Sequence, residues 1–369
     1  MIGWLILIGG LHLHLNFTSE IRPVVKMGYM PVITNLAAPI LDHASCRSGD
    51  IRFAAVKFAS FAEMAEALRN DQIQAAFMIA PLAVVLHQQG EAVNIVYIGN
   101  RHESTLVVRK DLDINRFSDL AGRTVAVPMR YSGHCLALLQ SMRDQGLEGR
   151  IQIVEMNPPD MAAALAVGAL DGYFVGEPFA ALSVKNGHAG VLCYVEELWP
   201  EFICNLVLVK SDFIRRAPEQ VRLLVQGAAR SGLWARQNPA EAARIAAEYW
   251  KQPLELVTYA LTQPPNRILY DRFRPRRTEI QDIADMMRRY GLSTDTDVTG
   301  LVEDRFAREA NLEGIDGLAS ILDPSTPRLS AIFESRMSKA PETRRKTHFD
   351  APKNKPHTIR TQRSGTALR

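Results

Sequence analysis

The stretch SFAEMAEALRNDQIQAAFMIAPLA, residues 60–83, lies over NPPDMAAALAVGALDGYFVGEPFA, residues 157–180, when the 369-residue sequence is shifted on itself by 97 positions. Seven of the 24 aligned positions are identical, among them Met64 with Met161 and Pro81 with Pro178. Two copies are too few for a solenoid, whose units bury a core by stacking on several neighbours. The repeat therefore predicts two similar folded lobes.

The first part of each copy predicts an amphipathic helix. Four apolar residues recur at helical spacing in the first copy: Phe61, Met64, Ala65 and Leu68. Residues at this spacing share one face of a helix and bury it against a core. Ser60 with Glu63 forms a capping box at the start of this helix, and Asn157 with Asp160 gives the second copy an analogous start.

The second part of each copy predicts a strand and another helix. The strands are AAFMIA, residues 75–80, and GYFVG, residues 172–176. Pro81 and Pro178 then stand where a helix begins, a position that proline tolerates. Alternating strands and helices indicate an α/β protein with mostly parallel sheets. We expect two Rossmann-like lobes.

Two extended runs predict how the lobes are connected. RHESTLVVRKDL, residues 101–112, leads into the second unit, and EFICNLVLVKSDF, residues 201–213, leads out of it. They indicate a two-segment hinge between a first lobe of residues 24–103 plus 205–322 and a second lobe of residues 104–204. Residues 323–369 have the composition of a disordered basic tail.

The charge distribution excludes one class of partner. Residues 336–369 hold 10 Lys and Arg against 2 Asp and Glu, whereas residues 1–335 hold 33 against 38. The folded body is therefore acidic, which argues against a nucleic-acid-binding protein. No Cys-x-x-Cys or Cys/His spacing indicates a metal site, and no cofactor motif occurs. The four cysteines predict buried thiols, with a Cys193–Cys204 disulfide as the alternative in an oxidising compartment.

The first 23 residues predict an atypical leader. The apolar run from Met1 to Phe17 is shorter than the roughly 20 residues of a membrane span. It resembles the core of a secretory signal, without the charged start or the A-x-A cleavage site. The sequence predicts a periplasmic protein, or a cytoplasmic one if this run is not a signal.

Three stretches resemble a known family: FASFAEMAEALRNDQIQAAFMIAPLA, FSDLAGRTVAVP and VEMNPPDMAAALAVGALDGYFVGEPF. They are similar to the nitrate/sulfonate/bicarbonate solute-binding proteins of ABC transporters, which have the periplasmic type II binding fold and are also called thiamine-precursor-like. The resemblance covers about residues 24–320. It implies the substrate-binding component of an importer, which closes on a small anion such as nitrate, bicarbonate or a sulfonate. The prolines favour the nitrate and bicarbonate branch.

One segment departs from the family pattern. Where the family has a Gly-Phe-Phe helix end and a Gly-Leu before the second strand, this chain has the shorter LDHASCRSGDIRF, residues 41–53. The departure concerns the edge of the first lobe. The resemblance also implies an ABC permease as membrane partner, with the chain itself a monomer.

Ligands of open α/β sheets bind beyond the carboxyl ends of the strands, where helix N-termini offer N–H donors to anions. Ten residues occupy such positions and are predicted to bind the ligand: Thr34, Asn35, Ser60, His102, Ser104, Arg130, Ser132, Gly133, His134 and Glu177. Arg130 would offer an oxyanion a forked pair of donors. The structural alternatives are an exposed Arg130, a surface Arg101, and Ser60 and Glu177 as helix caps.

Two other functions fit the same sequence. Cys135 follows His134 at a predicted helix start, where a thiolate could act as the nucleophile of an enzyme on the same fold. Neighbouring helix residues point about 100° apart, which disfavours a Cys–His pair. A binding protein that senses its ligand without a transporter is the third possibility.

Overall fold

The computed structural model describes residues 22–46 and 49–322. The predicted tail and all but two residues of the predicted leader lie outside this part. Ten strands are described: β1 Val24–Tyr29, β2 Arg52–Lys57, β3 Ala75–Ile79, β4 Val93–Ile98, β5 Ser104–Arg109, β6 Thr124–Val127, β7 Gln152–Glu155, β8 Gly172–Gly176, β9 Ala189–Tyr194 and β10 Asn205–Lys210.

Thirteen α-helices lie in the same ranges. They are α1 Ala37–Ser45, α2 Phe61–Arg69, α3 Ala80–Gln88, α4 Gly133–Asp144, α5 Pro158–Ala166, α6 Phe179–Lys185, α7 Val195–Leu198, α8 Ser211–Arg216, α9 Pro218–Gln237, α10 Pro239–Trp250, α11 Leu254–Thr262, α12 Arg277–Arg289 and α13 Arg305–Arg308.

The strands form two five-stranded sheets of the same topology. Their orders are β2-β1-β3-β10-β4 and β7-β6-β8-β5-β9, so that β6 to β9 take the places of β1 to β4. In each sheet the first three strands are parallel, and the fourth is antiparallel to both neighbours. The α/β fold class predicted from the repeat is confirmed. The sheets are mixed rather than mostly parallel, because each contains one antiparallel strand.

That antiparallel strand reaches each sheet from the other one. The chain leaves β4 in the first sheet and enters β5 in the second, and it later leaves the second sheet after β9 and returns as β10. The links just before these strands, residues 99–103 and 199–204, are here called the crossing segments. They contact each other, since His102 Nε2 lies 2.8 Å from the carbonyl oxygen of Pro200.

The helix starts follow the repeat with one difference. Helix α2 buries the predicted apolar face, and the Ser60 hydroxyl accepts from the backbone N–H of Ala62. At the equivalent position Asn157 makes no side-chain cap bond, so the predicted cap of α5 is wrong. The reason is local: Pro158 and Pro159 have no N–H, and Asp160 donates its own to the backbone carbonyl of Asn157.

Alternating strand residues divide the core between three layers. In β3, Phe77 packs against α1, α9 and α10, while Met78 faces α3 and α12. In β8, Tyr173 belongs to the same cluster as Met78, and Phe174 faces the opposite side with α4. The middle cluster thus contains residues of both sheets, as the period of two in each strand requires.

Candidate functional site

A cavity of about 350 Å³ opens between the two sheets and is here called the cleft cavity. Its lining comes from the carboxyl ends of β6 and β7, the residues that follow them, and the start of α2 after β2: Ser60, Phe61, Ala62, Pro128, Met129, Glu155, Met156 and Asn157. This edge of an α/β sheet is where ligands bind. The cavity also falls within the size range of small-molecule pockets.

The two copies of the repeat face each other across the cleft cavity with different chemistry. On the first copy, α2 presents its first-turn N–H groups and the Ser60 hydroxyl, which suits an anion. On the second copy, the prolines at the start of α5 remove two N–H donors, and the exposed side-chain amide of Asn157 is left. We therefore expect the negative end of a ligand to lie nearer Ser60.

An ion pair adds charge to the second wall. Arg130 Nε donates to Glu155 Oε1 over 2.8 Å, and the backbone N–H of Arg130 donates to Oε2 over 2.9 Å. The Arg130 side chain is 60% exposed, and Glu155 itself lines the cleft cavity. The predicted forked donor is therefore occupied in part by this carboxylate.

A second group of polar side chains is buried and mutually bonded, and it is here called the interlobe network. Ser104 Oγ donates to Glu103 Oε1 over 2.8 Å and lies 2.9 Å from His134 Nε2. Glu103 Oε2 accepts from the backbone N–H of Glu177 over 3.1 Å. All four residues are buried. Ser104, His134 and Glu177 are among the ten residues predicted to bind the ligand, whereas Glu103 is not, because its neighbours in the sequence are also polar.

Glu177 forms hydrogen bonds with residues of both halves of the fold. Its carboxylate accepts from the Thr105 hydroxyl over 2.8 Å and from the backbone N–H of Ala181 over 2.7 Å, which caps α6. Its backbone carbonyl accepts from the N–H of Ile33 in the first sheet's half, over 2.8 Å. The cap interpretation of Glu177 is confirmed.

Thr34 and Asn35 lie in the short 3-10 helix Ile33–Asn35, and the side chain of Asn35 joins the network. Asn205 Nδ2 donates to Asn35 Oδ1 over 2.9 Å, and Cys204 Sγ donates to Asn205 Oδ1 over 3.3 Å. Thr34 Oγ1 and His134 Nδ1 are the exceptions, because both are buried without a hydrogen-bond partner among the described residues.

Arg267 closes the network from the loop after α11. Its guanidinium pairs with Glu196 at 2.8 Å, donates to Thr105 Oγ1 and to the carbonyl of Ser104, and stacks 4.2 Å from the ring centre of Tyr194. The side chain is 6% exposed. No motif in QPPNRILY marks Arg267, so only the fold reveals it.

Burial perturbs two groups of the network in opposite ways. It raises the pKa of Glu103 from 4.5 to about 7, a rise opposed by hydrogen bonds from Ser104 and Cys204 and by the charge of Arg267. It lowers the pKa of His134 from 6.5 to about 3. Both groups are therefore held toward their neutral forms.

The remaining predicted residues lie around these two regions. Ser132 is buried and caps α4 by accepting from the N–H of Cys135 over 3.2 Å. A Cβ on Gly133 would lie 2.7 Å from the Phe202 ring, so the glycine permits that packing. Arg101, expected on the surface, is 2% exposed, and this expectation is wrong. Ligand contact by the ten residues stays a prediction.

The cysteine alternatives are resolved for the described residues. The four cysteines carry free thiols, so the Cys193–Cys204 pair is not formed. Cys135 and Cys204 are buried as predicted, whereas Cys193 is partly exposed and Cys46 is exposed, so the prediction of four buried thiols is wrong. Burial raises the pKa of Cys135 to about 12, which leaves its thiol neutral. A neutral thiol is a poor nucleophile, and the structure therefore disfavours the enzyme reading.

Residues 22–46 and 49–322 provide neither a cluster of metal ligands nor a membrane-spanning helix. Groups of three or more His, Cys, Asp or Glu side chains arranged to hold a metal ion do not occur in these ranges. None of the helices in the same ranges has both the length and the apolar character of a membrane span.

Two curated relatives share this sequence pattern. The chain is 30% identical to the taurine-binding periplasmic protein of Escherichia coli strain K12 over 178 residues, 47% of this chain and 54% of that protein. It thus spans about half the length of this relative. It is also 22% identical to the putative aliphatic sulfonates-binding protein of Bacillus subtilis strain 168 over 305 residues, 81% of this chain and 90% of that protein.

The fold also matches solved structures. A ligand-binding component of an ABC-type import system from Staphylococcus aureus, solved with zinc bound, superposes with a TM-score of 0.71 at 21% identity. The match covers 79% of this chain and all of that one. At such identity it shows the fold alone. The family model with the description NMT1-like family matches residues 21–250, more than half of the chain, and the protein therefore belongs to the NMT1-like family.

Proposed function

We propose that this protein is the substrate-binding component of an ABC importer and holds a small sulfonate-type anion in the cleft cavity. The observation that carries the proposal is that equivalent points of the two repeat copies line one cavity. A protein built from two lobes encloses its ligand at such a place and closes by rigid-body motion. The names of the relatives, which refer to taurine and aliphatic sulfonates, support the same ligand class.

The two walls favour an anion that also carries an amine. The α2 start offers N–H groups and a hydroxyl to a sulfonate, and α2 is long enough to contribute its dipole. Glu155 offers a carboxylate to an ammonium group on the opposite wall. Nitrate and bicarbonate carry no positive group, so with either of them bound Arg130 would remain the cationic partner of Glu155. This geometry favours an aminoalkanesulfonate such as taurine over the nitrate and bicarbonate branch.

The remaining expectations belong to the same proposal. The first lobe would comprise residues 24–103 and 205–322, and the second residues 104–204, with the crossing segments as hinge. The importer's permease would be the membrane partner, the chain would be monomeric, and its place would be the periplasm named for its taurine-binding relative. The buried, neutral thiol of Cys135 supports a binder over an enzyme.

Calorimetry with taurine, ethanesulfonate, nitrate and bicarbonate tests the proposal on the full chain. We expect taurine to bind most tightly, because it alone of the four carries both charges. Ser60→Ala should weaken binding of taurine and ethanesulfonate alike, by about 2 kcal/mol for a lost hydrogen bond to an anion. Glu155→Gln should weaken taurine binding and leave ethanesulfonate binding unchanged.

A matched control is Glu248→Gln, on the surface of α10 and away from the cleft cavity, which should change neither affinity. Absence of binding for all four anions would overturn the proposal. Binding that neither Ser60→Ala nor Glu155→Gln alters would place the ligand somewhere else. Recovery of a chemically altered ligand would identify an enzyme instead.

A further inference from the structure

A second cavity, of about 560 Å³, lies beside the crossing segments and is here called the arginine basin. Four of its six lining residues are arginines: Arg101, Arg272, Arg274 and Arg276, together with Glu201 and Asp271. Three of these arginines come from the short run DRFRPRR, residues 271–277. Guanidinium groups gathered around one cavity are the usual means by which proteins recognise oxyanions.

In the structure a carboxylate of the chain itself takes up the donors of the arginine basin. Glu201 Oε1 lies 2.8 Å from Arg272 Nη1. Glu201 Oε2 lies 3.5 Å from Arg276 Nη2 and 3.7 Å from Arg101 Nη1. The Glu201 side chain is 48% exposed, so solvent or a competing anion can reach this contact. Such a half-exposed pair contributes little stability and is readily exchanged.

The deeper part of the basin is fixed rather than exchangeable. Arg101 is 2% exposed and donates to Glu279, to the carbonyl of Glu201 and to the carbonyl of Arg272. The side chains of Arg272, Arg274 and Arg276 are about half exposed. Arg274 pairs with Asp304 over 2.7 Å and Arg276 pairs with Glu279 over 2.8 Å. Arg272 pairs with the half-exposed Glu201, so an anion that displaces Glu201 gains the donors of Arg272.

The start of α12 adds donors to the same place. Arg276 is its N-cap residue, and no side chain caps the first turn. Because Arg276 lines the arginine basin, the positive end of this 13-residue helix lies there and favours a negative charge.

We propose that the arginine basin binds a tetrahedral dianion, such as inorganic phosphate or sulfate, in place of the Glu201 carboxylate. A monoanion would replace the single negative charge of the Glu201 carboxylate by another single charge and would gain no additional attraction. A dianion brings a second charge and more acceptor oxygens, which reach Arg272 and Arg276 together. This site is separate from the cleft cavity, and the proposal does not depend on the function proposed above.

The position of the basin links its occupancy to the hinge. Arg101 lies in one crossing segment and Glu201 in the other, and their contacts join the two. A dianion that displaces the Glu201 side chain would replace a direct contact between the crossing segments by one through the ion.

Titration of the full chain with millimolar inorganic phosphate and sulfate, by calorimetry in a chloride buffer of constant ionic strength, tests this proposal. We expect both dianions to bind at one site that chloride and nitrate do not fill. Arg272→Gln should weaken this binding about tenfold, since a charge-assisted hydrogen-bonded pair is lost. Glu201→Gln should strengthen it by a similar factor, because the competing carboxylate is removed.

The opposite signs of these two variants separate the site from general salt effects. Arg244→Gln is the control, since Arg244 pairs with Glu241 on the surface of α10 and does not line the basin. Equal affinity for phosphate in the parent, Arg272→Gln and Glu201→Gln would overturn the proposal. So would phosphate binding that Ser60→Ala abolishes and Arg272→Gln leaves intact, because the ion would then occupy the cleft cavity.

Discussion

The cleft cavity and the interlobe network both lie between the sheets, yet they differ in what their polar groups can do. At the cleft cavity, Ser60, Glu155 and Asn157 are reached by solvent, and α2 presents donors with no partner in its own helix. In the interlobe network, Ser104 and Glu177 are buried and bonded to other protein groups. The first region offers open polar groups to solvent, and the second joins the parts of the chain that contain the two sheets.

This difference teaches that position along a strand does not by itself identify a ligand contact. Ser60 follows strand β2 and caps α2, and Ser104 is the first residue of β5. Ser60 is half-buried at the cleft cavity, whereas the Ser104 hydroxyl is shared between Glu103 and His134. The partner of a polar group, and not its place in the repeat, decides its role.

The largest effect should come from breaking the interlobe network at Arg267. Arg267→Met removes a nearly buried charge and leaves Glu196 and Thr105 without their donor. We expect a loss of about 3 kcal/mol in the free energy of unfolding, the size typical of a broken buried pair. Urea unfolding, with the midpoint and slope compared with those of the parent, measures it.

A surface pair provides the matched comparison for Arg267. Arg244→Met breaks an ion pair of half-exposed side chains on α10 and should cost less than about 0.5 kcal/mol. If both variants lose the same stability, Arg267 contributes no more than a surface pair and the network is not a fastening.

The second prediction concerns the pH dependence of stability. The raised pKa of Glu103, about 7, means that folding binds a proton between pH 4.5 and 7, so its contribution to the free energy of unfolding falls as pH rises. The lowered pKa of His134, about 3, means that unfolding binds a proton between pH 3 and 6.5. The contribution of His134 to the free energy of unfolding therefore rises as pH rises. Between pH 4.5 and 6.5 the two contributions oppose each other.

Single variants should separate these opposing terms. In the His134→Gln variant only the Glu103 contribution remains. The free energy of unfolding of this variant, relative to the parent, should therefore fall by about 1.4 kcal/mol for each unit by which pH rises across this window. Glu103→Gln should show the reverse slope relative to the parent. Urea unfolding at several pH values between 4.5 and 6.5 gives both slopes. Curves of each variant that run parallel to the parent would show that neither group is perturbed.

The sequence predicts the fold far better than the site. The repeat of residues 60–83 at 157–180 was sufficient for two α/β units, because apolar periodicity and helix starts are local properties. The mixed sheets were not predicted. β5 pairs in the sheet of β6 to β9 and β10 pairs in the sheet of β1 to β4, and such pairing depends on contacts between segments that are far apart in the sequence.

The site illustrates the limit in single residues. Arg101 and Arg130 look alike in sequence, yet the first is buried in the arginine basin and the second pairs with Glu155 in solvent. Glu103 and Arg267 each bond to residues that are distant in the sequence, which no local pattern encodes. Which polar groups satisfy each other depends on the tertiary structure.

The smallest expected effect distinguishes two serines that occupy the same kind of position. Ser132 and Ser60 both cap a helix. Ser132 is buried and its hydroxyl accepts from the backbone N–H of Cys135, whereas Ser60 lines the cleft cavity. Ser132→Ala should lower the free energy of unfolding by about 1 kcal/mol, as the loss of a cap does, and leave taurine affinity unchanged. Ser60→Ala should cost less stability, because water can satisfy the freed N–H of Ala62, and should weaken taurine binding. Urea unfolding and calorimetry on both variants make the comparison. If Ser132→Ala weakens taurine binding as much as Ser60→Ala does, the start of α4 reaches the ligand, and the boundary drawn between the cleft cavity and the interlobe network is wrong.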